Sequence, residues 1–427
     1  MAEDNRLTVK EVLITAGKRF LILLKWLLIG LAIGVIVGAI STAFSFCLSH
    51  VTELRGRYPY IVYGLPVAGL VIVGLYKLAF KDKDLGTNGI IISIWSEPDV
   101  PVKLAPLIFV STALTHLFGG SAGREGAALQ LGGSLGCFFG RIFRVNKYDR
   151  KIILMTGMSA AFAALFGTPM AAAVFSLEAA TVGSMYVASL LPCVIAAIVA
   201  CRFSASLGIS PESFPVSDIP EFGPVSGLKI IFLAVLAGLL SILFCFMMKY
   251  VKVYLGKWIK NPFLRVLAAA AVFLLITGLI GGNDYYGAGI PVIERAVTEG
   301  EAVPYAFILK MFLTALILGA GFKGGEIVPS FYVGATFGCV FGHIMGISPE
   351  LCAAMGMTAM FCGITNCPIT SMLISFELFG FECVPYIVLT VAVSFVASGY
   401  SGIYSAQRFM YSKYSPRFKN VDERGSE

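Results

Sequence analysis

Long stretches of this chain carry no Lys, Arg, Asp or Glu, and they constrain the fold more than any other feature. The charge-free windows are 26–52, 58–76, 104–123, 127–140, 152–177, 179–201, 230–248, 266–283, 327–349, 351–376 and 383–407. A helix needs about 20 apolar residues to cross the hydrocarbon of a bilayer, and several windows suffice alone. Others, such as 127–140 and the stretch around Pro169, are short or broken by Gly and Pro. Such pieces suit half-helices and re-entrant segments, which persist at membrane depth only where they pack on protein or line a wet cavity. Composition agrees: 57% of residues are hydrophobic and 13% charged, whereas soluble domains average about 25% charge. An ordinary soluble protein, a disordered chain and a secreted disulfide scaffold are excluded. The expected fold class is an all-α polytopic membrane protein.

Lys10, Lys18, Arg19 and Lys25 precede the first window, and Lys413, Arg417 and Lys419 follow the last. The positive-inside rule then places both termini in the cytoplasm of a multi-pass protein of the cell membrane. No cleavable signal is convincing, because the first apolar run is too long for one. The net charge of +7 fits basic membrane-flanking loops. It does not suggest nucleic acid, since no basic stripe with interleaved aromatics is present. Residues 209–224 hold four prolines between apolar blocks and read as a linker. The expected organisation is a cytoplasmic segment 1–19, a first half 20–208, the linker, a second half 225–405 and a short cytoplasmic tail 406–427.

The two halves are related. Gly132-x-x-x-Gly136-Cys137-x-Phe139-Gly140 matches Gly334-x-x-x-Gly338-Cys339-x-Phe341-Gly342. Gly157-Met158-Ser159-Ala160-x-Phe162 matches Gly356-Met357-Thr358-Ala359-x-Phe361, and this register continues through Pro169/Pro368, Ser176/Ser375 and Glu178/Glu377. A plain structural duplication would explain this. So would an inverted-repeat transporter, in which interrupted helices of both halves aim their ends at a mid-membrane substrate.

The glycine-rich stretch Gly119–Gly126 lies between apolar segments and precedes a helix. Free N–H groups and a positive dipole end there form an anion site without a full positive charge. The equivalent stretch of the second half runs from Gly321 to Pro329, and Pro suits the first turn of a helix. Glu125 at such a terminus competes with a permeant anion. Burial opposes its ionisation and N–H donors favour it, so the site can exchange protons. The plainer alternative pairs Glu125 with Arg124 at a membrane edge.

Gly123-Arg124-Glu125-Gly126 resembles the G-[K/R]-E-G signature of the CLC chloride channels and anion/proton antiporters. Gly325-Glu326-Ile327-Val328-Pro329 resembles their G-x-F-x-P signature, with Ile327 where Phe is usual. Phe166–Pro169 with Phe175–Glu178, and Gly402-Ile403-Tyr404-Ser405, resemble two further family segments. The resemblance runs from about residue 20 to 412 and implies a CLC-type inverted repeat with re-entrant and broken helices. It implies Glu125 as the gating glutamate and Tyr404 as the hydroxyl contacting the central anion. Gly123, Arg124 and Gly126 belong to the anion-binding signature, and Ile327 and Val328 would offer backbone N–H groups. The first family signature is degraded to Gly86-Thr87-Asn88-Gly89-Ile90, so the anion-binding hydroxyl is replaced by Thr87 or by Asn88. The resemblance also implies a homodimer through segments 169–201 and 368–402.

Two departures bear on the cargo. Proton-coupled members usually carry a second glutamate where this chain has Ala179. Glu326 places an acid inside the anion-binding signature, as the fluoride-transporting branch does. That branch usually has Thr at the positions of Ala127 and Val328. Halide transport, chloride first, is therefore expected, gated by Glu125 with Glu326 as a second proton site. A fluoride/proton antiporter is the alternative, and a cation-coupled nutrient transporter a remote one. No cofactor is implied. His50, His116 and His343 are too scattered for a metal site, no nucleophile with a base suggests an enzyme, and Lys81, Lys83 and Lys103 read as solvated loop charges.

Overall fold

The computed structural model describes residues 9–80, 85–96, 100–415 and 417–418, with side chains from residue 13 onward. Lys10, Lys81, Lys83 and Lys419 lie outside these described side chains.

Sixteen α-helices are found among the described residues, eight on each side of the Pro-rich linker. The first half holds α1 (Val9–Arg57), α2 (Leu65–Phe80), α3 (Gly86–Trp95), α4 (Leu104–Leu117), α5 (Glu125–Ile142), α6 (Lys147–Phe166), α7 (Pro169–Glu178) and α8 (Leu190–Ser206). The second holds α9 (Pro224–Trp258), α10 (Pro262–Leu279), α11 (Ile290–Glu294), α12 (Ala306–Ala320), α13 (Ile327–Met345), α14 (Pro349–Thr365), α15 (Pro368–Phe379) and α16 (Val384–Ala397). Six stretches are long and apolar enough to cross a bilayer: Leu13–Arg57, Pro59–Phe80, Val187–Ser206, Pro224–Trp258, Pro262–Leu279 and Ile327–Met345. Shorter apolar helices fill the space between them, including α4, α7, α12, α15 and α16.

The repeat register places α5 against α13, α6 against α14 and α7 against α15. The last pair fixes their relative direction. Glu178, the last residue of α7, accepts from Ile369 N (3.1 Å), Thr370 N (2.8 Å) and Thr370 Oγ1 (2.6 Å) at the start of α15. Glu377, near the end of α15, accepts from Met170 N (2.8 Å) and Ala171 N (2.9 Å) at the start of α7. Each helix carries the carboxylate that satisfies the orphan N–H groups of the other. The two helices therefore run antiparallel, and the halves are inverted.

The repeated glycines are packing devices. A Cβ on Gly132 of α5 would lie 2.3 Å from Gly157 O of α6, and one on Gly334 of α13 would lie 2.4 Å from Gly356 O of α14. Both helix pairs cross backbone on backbone, as small-residue crossings do in membranes. Around them the interior is largely apolar: Phe162, Phe166, Phe175, Tyr332 and Phe361 are fully buried.

Two windows fold differently from a continuous helix. The charge-free run 351–376 splits at Asn366, whose left-handed backbone (φ 56°) caps α14 before Pro368 opens α15. In 179–201 the helix begins only at Leu190. Thr181–Val182 instead pairs in parallel with Arg408–Phe409, and Gln407 Nε2 donates to Ala179 O (3.1 Å) and Thr365 O (2.9 Å). Those distant donors satisfy carbonyls that a helix would otherwise have to satisfy. Residues 407–409, read as tail, thus pack into the helical body.

Candidate functional site

Three helix N-termini, those of α3, α5 and α13, meet at the centre of the fold. The loops before α5 and α13 join in a short antiparallel bridge, with Gly123 N donating to Gly325 O (2.6 Å) and Gly325 N to Gly123 O (2.7 Å). His116 Nε2 lies 3.2 Å from Gly123 O, and Ser121 Oγ lies 2.9 Å from Thr314 Oγ1, so the first loop is held from behind.

Glu125 is fully buried at the first position of α5, and its Oε2 accepts from Val328 N across the repeat (3.2 Å). Its Oε1 is buried without a hydrogen-bond partner. The carboxylate rests in a cradle of glycines: a Cβ would come within 2.2 Å of Oε2 at Gly123 and within 2.7 Å at Gly325. An acceptor-only group occupies a place built from N–H donors and a positive helix end, the environment suited to an anion.

Beyond Gly126 the site opens into a cavity of about 980 Å³ lined by Thr87, Asn88, Gln130, Glu326 and Tyr404 among others. A Cβ on Gly126 would lie 3.3 Å from Thr87 Oγ1 and 3.4 Å from Glu326 Oε2, so a hydroxyl and a second carboxylate face the same glycine. Glu326 is partly exposed, at the cavity wall, and is in no ion pair among the described residues. Lys323 lies instead over the Tyr76 ring at 4.2 Å. Tyr404 is 3% exposed, and its buried hydroxyl has no hydrogen-bond partner among the described residues. Lys249, Lys252 and Lys323 also line the cavity, and their charges favour an anion there.

The expected residues thus divide. Thr87, Gly123, Glu125, Gly126, Glu326, Val328 and Tyr404 come together. Asn88 lines the cavity too, and its acceptor Oδ1 takes the Ala406 N–H (3.0 Å), which ties it to the loop that carries Tyr404 and engages none of its Nδ2 donors. Ile327 is fully buried as the first residue of α13, and its Val328 neighbour is the one bonded to Glu125. Arg124 turns away from the cavity to pair with Glu212 of the linker and to donate to Leu165 O (3.4 Å). The plainer pairing of Arg124 with Glu125 is not what the fold adopts. Of the histidines, His116 backs the Gly123 loop, and His343 Nε2 contacts Gly300 O (2.8 Å). Lys103 donates to Ala79 O at the surface. Sequence reasoning passed over Gln130, Gln407 and Glu212, whose partners lie 41 or more positions away; no local pattern marks them.

An inverted repeat that aims opposed helix ends at a buried glutamate, beside an open polar cavity, defines a membrane transport protein for anions. The profile of the voltage gated chloride channel family matches residues 69–399. A chloride/fluoride channel protein of Pseudomonas syringae pv. tomato is 34% identical over 91% of this chain and 88% of its own length. The crystal structure of a CLC-type fluoride/proton antiporter superposes with a TM-score of 0.86 at 31% identity, covering 95% of this chain and all of that one. A slow cyanobacterial Cl⁻/H⁺ antiporter shares the fold at 18% identity, with a TM-score of 0.74 over 87% of this chain and 94% of its own. The chain belongs to the CLC family, and CLC-type anion transport is its function.

Proposed function

We propose that this protein exchanges a halide for protons across the cell membrane, with fluoride as the preferred cargo. The observation that carries this reading is Glu326, a carboxylate set on the cavity wall beside Thr87 and Gly126. A fixed negative charge about 6 Å from a bound anion would cost roughly 3 kcal/mol at an effective dielectric near 20. A neutral Glu326 avoids that cost, and a carboxyl that binds a proton together with an anion is a coupling device. Position 179, where many family members have a second proton glutamate, is Ala, and its carbonyl is taken by Gln407. The similarity to proteins described as a chloride/fluoride channel and a fluoride/proton antiporter supports the same cargo.

In this reading Glu125 is the gate. As a carboxylate it fills the glycine cradle and takes the Val328 N–H. Protonated, it releases both and lets the anion enter. Thr87 and Tyr404 hold the anion from the cavity side by hydroxyl donation. The lysine-lined cavity opens to the cytoplasm, as the positive-inside rule places both termini there. Two copies would join through α7, α8, α15 and α16, where Met170, Leu190, Leu191, Ile369 and Val388 present exposed apolar side chains. Chloride is the second reading. It is favoured by Val328 and Ala127, which lack the hydroxyls usual in the fluoride branch.

Liposomes reconstituted with the protein and loaded with fluoride or chloride test this, with external anion and pH recorded together. Fluoride efflux should exceed chloride efflux and move protons the opposite way. Glu326→Gln should abolish proton movement and leave some anion flux. Glu125→Gln should abolish both coupling and pH dependence. Wild-type anion flux with no proton movement at any pH would replace the exchanger by a channel.

A further inference from the structure

We propose that Gln130 is a positioning residue of the anion site: its amide occupies a lone pair of the Thr87 hydroxyl and so turns the hydroxyl proton into the cavity. This rests on the reading of Thr87 as an anion ligand. Gln130 Nε2 donates to Thr87 Oγ1 at 3.2 Å, and the two side chains are 5% and 8% exposed. Both line the cavity that also holds Glu326 and Tyr404.

The argument is about which way a hydroxyl points. A threonine hydroxyl has one proton and two lone pairs, whereas an amide nitrogen can only donate. Within helices, threonine usually spends its proton on a carbonyl one turn back. Here Thr115 donates to Ser111 O (3.0 Å), Thr336 to Tyr332 O (2.7 Å) and Thr358 to Ala354 O (3.0 Å). Thr87 stands in the first turn of α3, and among the described residues the hydrogen bond its hydroxyl makes is the one it accepts from Gln130. Its proton is therefore left for the cavity. Without Gln130 the hydroxyl rotates freely and presents lone pairs to an anion for part of the time.

Gln130 follows Glu125 by five residues on α5, about 7.5 Å along the helix axis. One rigid helix then carries the gating carboxylate on one side of the anion and presets a donor on the other. A small, strongly hydrated anion gains most from donors already aimed at it, so the effect should be larger for fluoride than for chloride.

Calorimetric titration of the purified protein in detergent with sodium fluoride, then sodium chloride, tests the proposal. Thr87→Val should weaken fluoride binding about tenfold, the scale of one hydrogen bond to a charged partner. Gln130→Met should weaken it several-fold. Gln130→Glu should weaken it further, because a carboxylate claims the hydroxyl proton and repels the anion. In a Thr87→Val background, Gln130→Met should have no further effect. Wild-type affinity in Gln130→Met beside a weakened Thr87→Val would overturn the role of Gln130, as would simple additivity of the two changes. Wild-type affinity in Thr87→Val would instead remove Thr87 as a ligand, and this proposal with it. Should Gln130→Met fail to fold, Gln130→Asn, one methylene too short to reach Thr87, is read in the same way.

Discussion

Replacing Glu178 by Gln changes a single oxygen into an NH₂ group, yet it should destabilise the protein by about 3 kcal/mol. The carboxylate is 4% exposed and accepts three hydrogen bonds from Ile369 N, Thr370 N and Thr370 Oγ1. A Gln side chain keeps one acceptor oxygen. Placed to retain the two Thr370 donors, its NH₂ confronts the Ile369 N–H, and that donor is left unsatisfied at a cost of about 1–3 kcal/mol. The two retained bonds lose their charge assistance, roughly 1 kcal/mol each. Relief of the buried charge returns part of this, which leaves about 3 kcal/mol. Glu377→Gln should cost less, because Glu377 accepts from two donors and is more exposed. Thermal unfolding of detergent-solubilised protein, followed by tryptophan fluorescence, ranks the variants. A Glu377→Gln loss equal to or greater than that of Glu178→Gln would refute the reasoning, as would a Glu178→Gln variant with the wild-type midpoint.

Two further changes have expected outcomes. Tyr404→Phe removes a hydroxyl that has no partner among the described residues, so it should leave the unfolding midpoint unchanged while weakening halide binding about tenfold in calorimetry; a loss of stability with intact binding would contradict it. Lys310 is fully buried and its Nζ donates to Tyr285 O (3.1 Å) and Gly287 O (2.7 Å), so Lys310→Met should lower stability by about 2 kcal/mol and speed amide exchange in residues 282–289, and unchanged protection there would count against a clamping role.

Much of the site could be read from the chain because its chemistry is local. Glu125 announces itself as an acid between a glycine-rich loop and an apolar helix, and Glu326 stands in the equivalent loop of the second half, at the position the repeat gives to Arg124. The helix breaks at Pro169 and Pro368 are likewise written in single residues. What escaped reading depends on partners far along the chain. Asn88 holds the Ala406 N–H, 318 positions away, a tie that nothing in its neighbourhood announces. Arg124 looked like an anion ligand beside Glu125, but Glu212 of the linker takes it. The run 179–189 is apolar enough for a helix, yet Gln407 and the 408–409 segment satisfy its backbone instead. Hydropathy records only that a segment leaves water, not which donors meet it there.

The glycine crossings bear on speed. The helices whose ends frame the site, α5 and α13, touch α6 and α14 through bare backbone, with no side-chain layer between them to act as a bearing. Sliding either pair by one turn, about 5.4 Å, would drive side chains into a carbonyl that now has no clearance. A cycle that slides helices past one another within either half is closed to such a frame. Movement at the site then falls to side chains, the Glu125 and Glu326 carboxyls and the Tyr404 ring, rather than to sliding helices. In the proton-coupled exchange proposed above, turnover would then follow how quickly a proton reaches a buried carboxyl, and acidifying one side of the membrane should change the rate where stiffening the protein does not.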